Sequence, residues 1–143
     1  MAIQEKKKET EEILIDGTRA VLGRIASIAA KKALQNRDAK VLVFNCNDMI
    51  ITGKPESTLA HYKEKRALGG SALKGPFFPR SPEMIVRRTI RGMLSYKYVR
   101  GLEAFKRIRC YNGITNEYLG KEKISLKSDA IQFITLSRLS ELM

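Results

Sequence analysis

Residues 13–45, ILIDGTRAVLGRIASIAAKKALQNRDAKVLVFN, decide the fold class. Ile13-Leu14-Ile15 is a short apolar run ended by the turn-forming pair Asp16-Gly17, and it predicts a strand. Thr18 then stands where a hydroxyl can cap a helix, which is expected to run to about Leu34. Within it Leu22, Ile25, Ala26, Ala29 and Ala33 follow the spacing of one buried helical face. Five alanines and Gly23 make this helix slim, suited to lying close against a sheet. Asn36-Arg37-Asp38 ends it, and Lys40–Asn45 follows as a second strand. Its apolar residues, Val41 to Phe44, run without alternation, as expected for a strand covered on both faces. Strand, helix and strand in that order make a parallel crossover, so the chain reads as an α/β protein.

Outward from this unit, Met49-Ile50-Ile51-Thr52 predicts a third strand, closed by Gly53. Pro55 suits the first turn of a helix reaching about Leu68. Residues 69–82, GGSALKGPFFPRSP, hold three glycines and three prolines and predict an extended loop. Ser81 is expected to cap, with Pro82 in the first turn, a helix continuing to about Leu94. A short helix is expected around Gly101 to Lys106, leading into the strand-like alternation Arg107-Ile108-Arg109-Cys110-Tyr111. Residues 112–130 read as polar connection, and the stretch Ile134–Leu142 as a small docking helix. Residues 1–12 read as a flexible charged arm, which leaves 13–143 as one domain.

A chain of 143 residues, 43% of them hydrophobic, can bury roughly two-thirds of the surface it exposes when unfolded. Wholesale disorder is thereby excluded. No apolar run approaches the roughly 18 residues of a membrane span, so no membrane partner is expected. The first residues, MAIQEKKKETEE, lack the apolar stretch of a secretory signal, and their glutamates are foreign to transit peptides. The expected location is the cytoplasm.

Charge is the most informative quantity. The net is +12, and residues 61–110 contribute 13 basic and 3 acidic groups, a net of +10, whereas the other 93 residues contribute 14 and 12, a net of +2. Surfaces that merely need solvation mix the two signs. A field gathered into one third of the chain attracts a polyanion, and phosphate backbones are the commonest inside cells.

The helix from Pro82 to Leu94 carries this signal best. At 100° per residue, Val86, Ile90, Met93 and Leu94 share one arc, widened by Ile85, and Arg87, Arg88 and Arg91 share another, joined by Met84. One face is suited to packing while three guanidiniums project together, and a planar guanidinium makes paired hydrogen bonds to phosphate oxygens. A solvated face would carry balancing glutamates, and only Glu83 is present. Nearby, Lys74 and Arg80 flank Phe77-Phe78, and Tyr96 and Tyr98 alternate with Lys97 and Arg100. These rings suit either stacking on unpaired bases or closing the core beneath the loop.

Enzymatic alternatives fail on inspection. Thr52-Gly53-Lys54 lies between a strand and a helix, yet a phosphate-binding P-loop needs Gly where Asp48 stands and Ser or Thr where Pro55 stands. Asp16-Gly17 lacks the glycine fingerprint of a dinucleotide site. His61, the one histidine, stands among Lys63, Lys65 and Arg66 on a helix expected to face solvent or RNA. Asp16 and Asp48 are better placed to cap turns than to act as a carboxylate pair. Cys46 and Cys110, distant in sequence, read as reduced thiols in apolar strands rather than as zinc ligands. No catalytic residue, metal, cofactor or small-molecule substrate is expected.

Taken together, Asp16-Gly17, Val21-Leu22-Gly23-Arg24-Ile25-Ala26, Val41-Leu42-Val43-Phe44-Asn45 and Ile51-Thr52-Gly53-Lys54 resemble one known family. Val86-Arg87-Arg88-Thr89-Ile90-Arg91-Gly92-Met93-Leu94 and Phe105-Lys106-Arg107-Ile108 extend the likeness. The family is that of protein 13 of the large ribosomal subunit, in its archaeal and eukaryotic branch more than its bacterial one, over about Ile13 to Tyr111. The resemblance implies a three-layer α/β/α domain with a small, mainly parallel sheet and basic loop and helix extensions. It also implies a structural, non-catalytic role on large-subunit ribosomal RNA early in assembly, beside neighbouring large-subunit proteins. Gly23 and Arg24 fall in the family's first helix, and Gly92-Met93-Leu94 in its signature segment. Residues 69–82 depart from the bacterial pattern, so loop contacts to RNA are not carried over.

The residues expected to meet RNA are Lys63, Lys65 and Arg66 before the loop, Lys74 and Arg80 in it, and Arg87, Arg88, Arg91, Lys97, Arg100, Lys106 and Arg107 after it. Arg24 and Lys54 complete the set. Two rival functions use the same charge: a non-ribosomal RNA-binding translational regulator, and a small α/β enzyme on phosphorylated substrates.

Overall fold

The computed structural model describes residues 10–68 and 75–143. Most of the expected arm (residues 1–9) and the first part of the expected loop (residues 69–74, with Lys74) lie outside the described residues. In chain order the elements are β1 (Glu12–Asp16), α1 (Leu22–Gln35), β2 (Lys40–Phe44), β3 (Ile50–Thr52), α2 (Pro55–Ala67), α3 (Pro82–Met93), α4 (Val99–Arg107), β4 (Ile108–Cys110), β5 (Ile124–Ser125), β6 (Phe133–Thr135) and α5 (Leu136–Leu142).

The α/β expectation holds. Strands β4, β2, β1 and β5 lie side by side in that order, every pair parallel, with Ile13 opposite Val41 and Ile15 opposite Val43. Because side chains alternate along a strand, Ile15, Val41, Val43 and Ile108 enter one core with the alanine face of α1, with Ile85, Val86 and Ile90 of α3, and with Ala104 of α4. Leu14, Leu42 and Phe44 point the other way, against Ile114 and Tyr118. That third layer is thin, built around a 3₁₀ turn at Asn116–Tyr118. The Phe44 ring lies 5.4 Å from the Tyr111 ring and 5.2 Å from the Tyr118 ring, the first stacked and the second tilted. This two-sided burial is why Val41 to Phe44 show no alternation.

Several local expectations are corrected. Thr18 does not cap α1. Its hydroxyl donates to Asp16 Oδ1 at 2.7 Å, its backbone N–H to the same oxygen at 3.0 Å, and Asn45 Nδ2 joins them at 2.9 Å. Arg19 then takes φ +51°, Ile50 N–H bonds the Ala20 carbonyl, and Val21 bridges Ile50, so residues 18–21 are spent on pairing and the helix starts at Leu22. Ser81 occupies the cap position of α3 without making a cap bond; the side chain of Asn112 accepts from the Glu83 N–H at 3.1 Å. Met93, expected in the apolar arc, is 44% exposed. It lies in the last turn, beyond which the backbone becomes extended at Leu94 and turns that side chain into the core.

The third strand stands apart from the main sheet and pairs antiparallel with β6, Ile51 opposite Ile134. The stretch expected to be helical from Ile134 is therefore a strand until Thr135, whose side chain caps α5 by accepting from Arg138 N–H. Leu136 and Leu139 of α5 are buried, so the docking role stands. The connection 112–130 also contains β5, which extends the main sheet beside β1. Cys46 lies in a 3₁₀ turn, not a strand, and meets Cys110 of β4; both thiols are free. The neighbouring Cys110 sulfur and burial push the Cys46 thiol far up from its ordinary pKa. No described group of His, Cys, Asp and Glu is arranged to hold a metal, and no described helix is long and apolar enough to cross a membrane.

Two outcomes follow. Phe44→Ala removes a ring that is fully buried and should cost about 3–5 kcal/mol in a denaturant melt. Asp16 loses solvation on burial, which raises its pKa, but the bonds from Asn45 and Thr18 and the charge of Lys123 outweigh this and hold it below the ordinary 3.8. Its contribution to stability is complete above that value and is lost as pH falls through the lower, folded-state value. On acidification from about pH 5, the urea midpoint of the protein should therefore drop more than that of Asp16→Asn.

Candidate nucleic-acid interface

Helix α3 has one face committed to the core through Ile85, Val86 and Ile90. Its opposite face must meet solvent or a partner, and it carries Arg87, Arg88 and Arg91. Each guanidinium lies over an aromatic ring: Arg87 over Phe105 at 4.9 Å, Arg88 over Phe78 at 4.8 Å and Arg91 over Tyr96 at 4.3 Å. Lys65 of α2 approaches the Phe78 ring at 5.6 Å and the Tyr62 ring at 5.2 Å, so a second cation shares the Phe78 platform. A ring under a guanidinium is attractive by about 0.5–1 kcal/mol at exposed sites. It restrains the long side chain yet leaves the in-plane N–H groups directed outward.

Among the described residues the ion pairs are Lys121–Glu12 and Arg138–Glu141, and neither involves α3. The three arginines thus keep their charge available. Glu83, in the first turn of the helix, lines a cleft with Arg87 but forms no ion pair with it. Desolvation raises its pKa, but bonds from Ser81, its own backbone and Asn112 lower it further, keeping it an anion at the helix N-terminus.

Two of the residues expected to meet RNA spend donors on carbonyls of the protein itself. Arg80 donates from Nε to the Ser140 carbonyl at 2.6 Å and from a terminal nitrogen to Glu141 at 3.2 Å, satisfying the last carbonyls of α5. Arg107, half-buried, donates to the Ala33 carbonyl at 2.7 Å near the end of α1. Both arginines fasten helix ends to the layer that carries α3.

The remaining positions divide by location. Lys106 lines a cleft with Arg87, Arg109 and the carboxylate-bearing Glu83 at the β4 edge of the sheet. Arg109, outside the set read from the sequence, joins this cleft because the strand alternation turns it away from the buried Ile108. Arg100 lines another hollow, with Arg37, Asp38 and Glu103 near the end of α1, where the charge is mixed. Lys54 lies at the start of α2 beside Gln132 and Phe133, away from the arginine face. Arg24, Lys63, Arg66 and Lys97 are exposed.

The loop aromatics split between their two readings. Phe78 packs against the core edge-on to Tyr62, and Tyr96 is half-buried beneath Arg91. Phe77 and Tyr98, 66% and 74% exposed, keep their rings at the surface.

Residues 10–117 match the model of the family described as Ribosomal protein L13. Over 131 residues the chain is 40% identical to the large ribosomal subunit protein uL13 of Methanocaldococcus jannaschii, covering 90% of this chain and 94% of that one. Over 129 residues it is 36% identical to the uL13 of Methanosarcina barkeri, covering 90% and 91%. Over 132 residues it is 40% identical to that of Methanopyrus kandleri, covering 92% and 79%. These alignments reach beyond the resemblance read from the motifs, which ended near Tyr111. With most of its length accounted for, and its strand–helix–strand unit and arginine helix both inside the matched region, the chain belongs to the ribosomal protein L13 family.

Proposed function

We propose that this chain is a structural constituent of the large ribosomal subunit, binding and stabilising large-subunit ribosomal RNA from early in assembly. Residues 13–143 then act as one RNA-binding unit in the cytoplasm, beside neighbouring large-subunit proteins, and no catalytic step is asked of it. One observation carries this function: three arginines on the outer face of α3, each held on an aromatic ring and none paired with a carboxylate among the described residues. Kinship with proteins named as large-subunit components supports the ribosomal setting.

The sheet and its helices serve as a rigid base. Guanidinium edges of Arg87, Arg88 and Arg91, with Lys65, Lys106 and Arg109 around them, meet phosphate oxygens, and each neutralised phosphate releases condensed counterions. Lys63, Arg66, Lys97, Arg100, Arg24, Lys54 and Lys74 add longer-range attraction. Selection among RNA sites comes from backbone shape and unstacked bases, since side chains cannot read the deep, narrow major groove of A-form RNA.

Sedimentation of cell extract tests the setting. The protein should travel with the large subunit and remain there after a moderate salt wash; a pool found mainly at the top of the gradient would favour the free regulator instead. The contact is tested by Arg87→Glu, Arg88→Glu and Arg91→Glu together. Losing three ring contacts should lower stability by roughly 1–3 kcal/mol, leaving the circular dichroism of a folded chain, while binding to large-subunit RNA disappears. Replacing a single one of these arginines by Ala should reduce the slope of log affinity against log salt by about 0.7–0.9. Unchanged binding by the triple variant would remove α3 from the interface.

A further inference from the structure

The described part of the loop, together with α3 and α4, encloses a cleft of about 380 Å³ that the phosphate contacts alone do not use. Phe77, Met84 and Phe105 supply its apolar surface, and Arg87, Arg88 and Arg91 line it as well. Phe77 and Phe78 are adjacent but differ in circumstance. Phe78 lies beneath Arg88 and beside Tyr62, whereas Phe77 is 66% exposed and has no ring or cation over it among the described residues. Met84, expected to interrupt the basic side of α3, is 45% exposed at the same place. An uncovered aromatic face and a thioether thus stand within a ring of guanidiniums, with no acidic side chain in the lining.

A ligand complementary to this surface is flat and apolar on its faces and attached to anions at its edge. An unstacked nucleotide has that form: the base supplies the π-face and the phosphates on either side supply the charge. An apolar peptide would leave three cations desolvated and unpaired, which is costly. A volume near the lower end of the roughly 300–1,000 Å³ range of small-molecule pockets fits one splayed base rather than a helical groove.

We infer that the Phe77–Met84–Phe105 cleft receives a single unstacked base of ribosomal RNA, stacked on Phe77, while Arg87, Arg88 and Arg91 hold the phosphates flanking it. The inference rests on the RNA-binding function above and adds to it a position at which one nucleotide is selected. Met84 on the arginine arc is then part of the site, offering a polarisable surface to the base edge.

The test compares the full chain with Phe77→Ala and Phe77→Tyr in binding to in vitro transcribed large-subunit RNA over a series of salt concentrations, with chemical footprinting of each complex. Phe77 is exposed, so both variants should melt as the parent does. Removing the ring should weaken binding about tenfold to a hundredfold, leave the salt slope unchanged and expose one nucleotide to the probe. Phe77→Tyr should restore affinity and protection. Ultraviolet irradiation of the parent complex should join that same nucleotide to Phe77. If Phe77→Ala binds within twofold of the parent with the same footprint, or if both variants lose affinity alike, the base site is overturned while RNA binding stands. A reduced salt slope in Phe77→Ala would overturn it too, since the loss would then lie in phosphate contacts. Cross-linking of Phe77 to a neighbouring protein in the assembled subunit would give the cleft a protein occupant and overturn it likewise. Failure of the parent to bind the RNA would remove the function and the inference together.

Discussion

Burial of β2 on both faces is the constraint from which the rest of the architecture follows. Its backbone is paired with β1 on one side and β4 on the other, and Val41, Leu42, Val43 and Phe44 are all buried. Such a strand requires cover above and below. On one face the cover is α1, whose Ala26, Ala29, Ala30 and Ala33 allow a close approach and let α3 and α4 pack around it. On the other it is the chain from Tyr111 to Tyr118 folded under Phe44. At the end of the strand Asn45 adopts φ +55°, and its amide joins the Asp16–Thr18 cluster, fixing the ends of both central strands together. With α1 on the sheet, α3 buries the side that meets α1, β4 and α5. The outward side is where a cluster of charge can stand without a desolvation penalty.

The arginine helix is fixed by residues distant in sequence. Asn112 caps its first turn from beyond β4, Arg80 joins the loop before it to the end of α5, and Arg107 joins the end of α4 to the end of α1. Arginine therefore serves two purposes within one basic segment. Arg80 and Arg107 spend donors on helix carbonyls and set the position of the frame; Arg87, Arg88 and Arg91 lie on rings and keep their donors outward. A tally of charge along the chain does not distinguish these uses, because the difference lies in what each side chain meets after folding.

The same distinction explains what was legible in the sequence. Local signals were enough for α1 to α4, periodicity for α1 and α3 and Pro55 for α2, as they were for the two-sided strand Val41–Phe44 and for the division of α3 into apolar and basic arcs, since each depends on neighbours within a turn or two. The start of α1 was not legible, because Thr18 to Val21 are drawn into pairing with Ile50 and into the Asp16 cluster. Strands β5 and β6 span two and three residues, too short to carry an alternation of their own. They exist because Ile15 and Ile51 offer partners. Cap positions could be read while cap partners could not: Ser81 stands at the right place, yet the bond comes from Asn112. On α3, the gathering of Arg87, Arg88 and Arg91 on one arc could be read from spacing, whereas their aromatic supports and the placing of Arg109 in a cleft with Arg87 required the tertiary fold.

Gathering cations on one face has a cost. Charges on adjacent helical turns repel across a distance shorter than the screening length of about 8 Å at physiological ionic strength. Glutamates at neighbouring positions would relieve that repulsion, but they would also compete with phosphate for the same donors and repel the RNA. Aromatic supports offer a different balance. The negative face of each ring attracts its guanidinium while adding no net charge, and the N–H edge remains open. Phe78 beneath Arg88, with Lys65 against the same ring, shows how far this goes, since one neutral ring steadies two cations. The rings also reduce the side-chain entropy that these arginines would lose on meeting an anion, without changing the field they project. The aromatic residues interleaved with the basic ones are thus part of the electrostatic design: Phe78, Phe105 and Tyr96 support charge from beneath, whereas Phe77, with no cation over it among the described residues, keeps its ring at the surface.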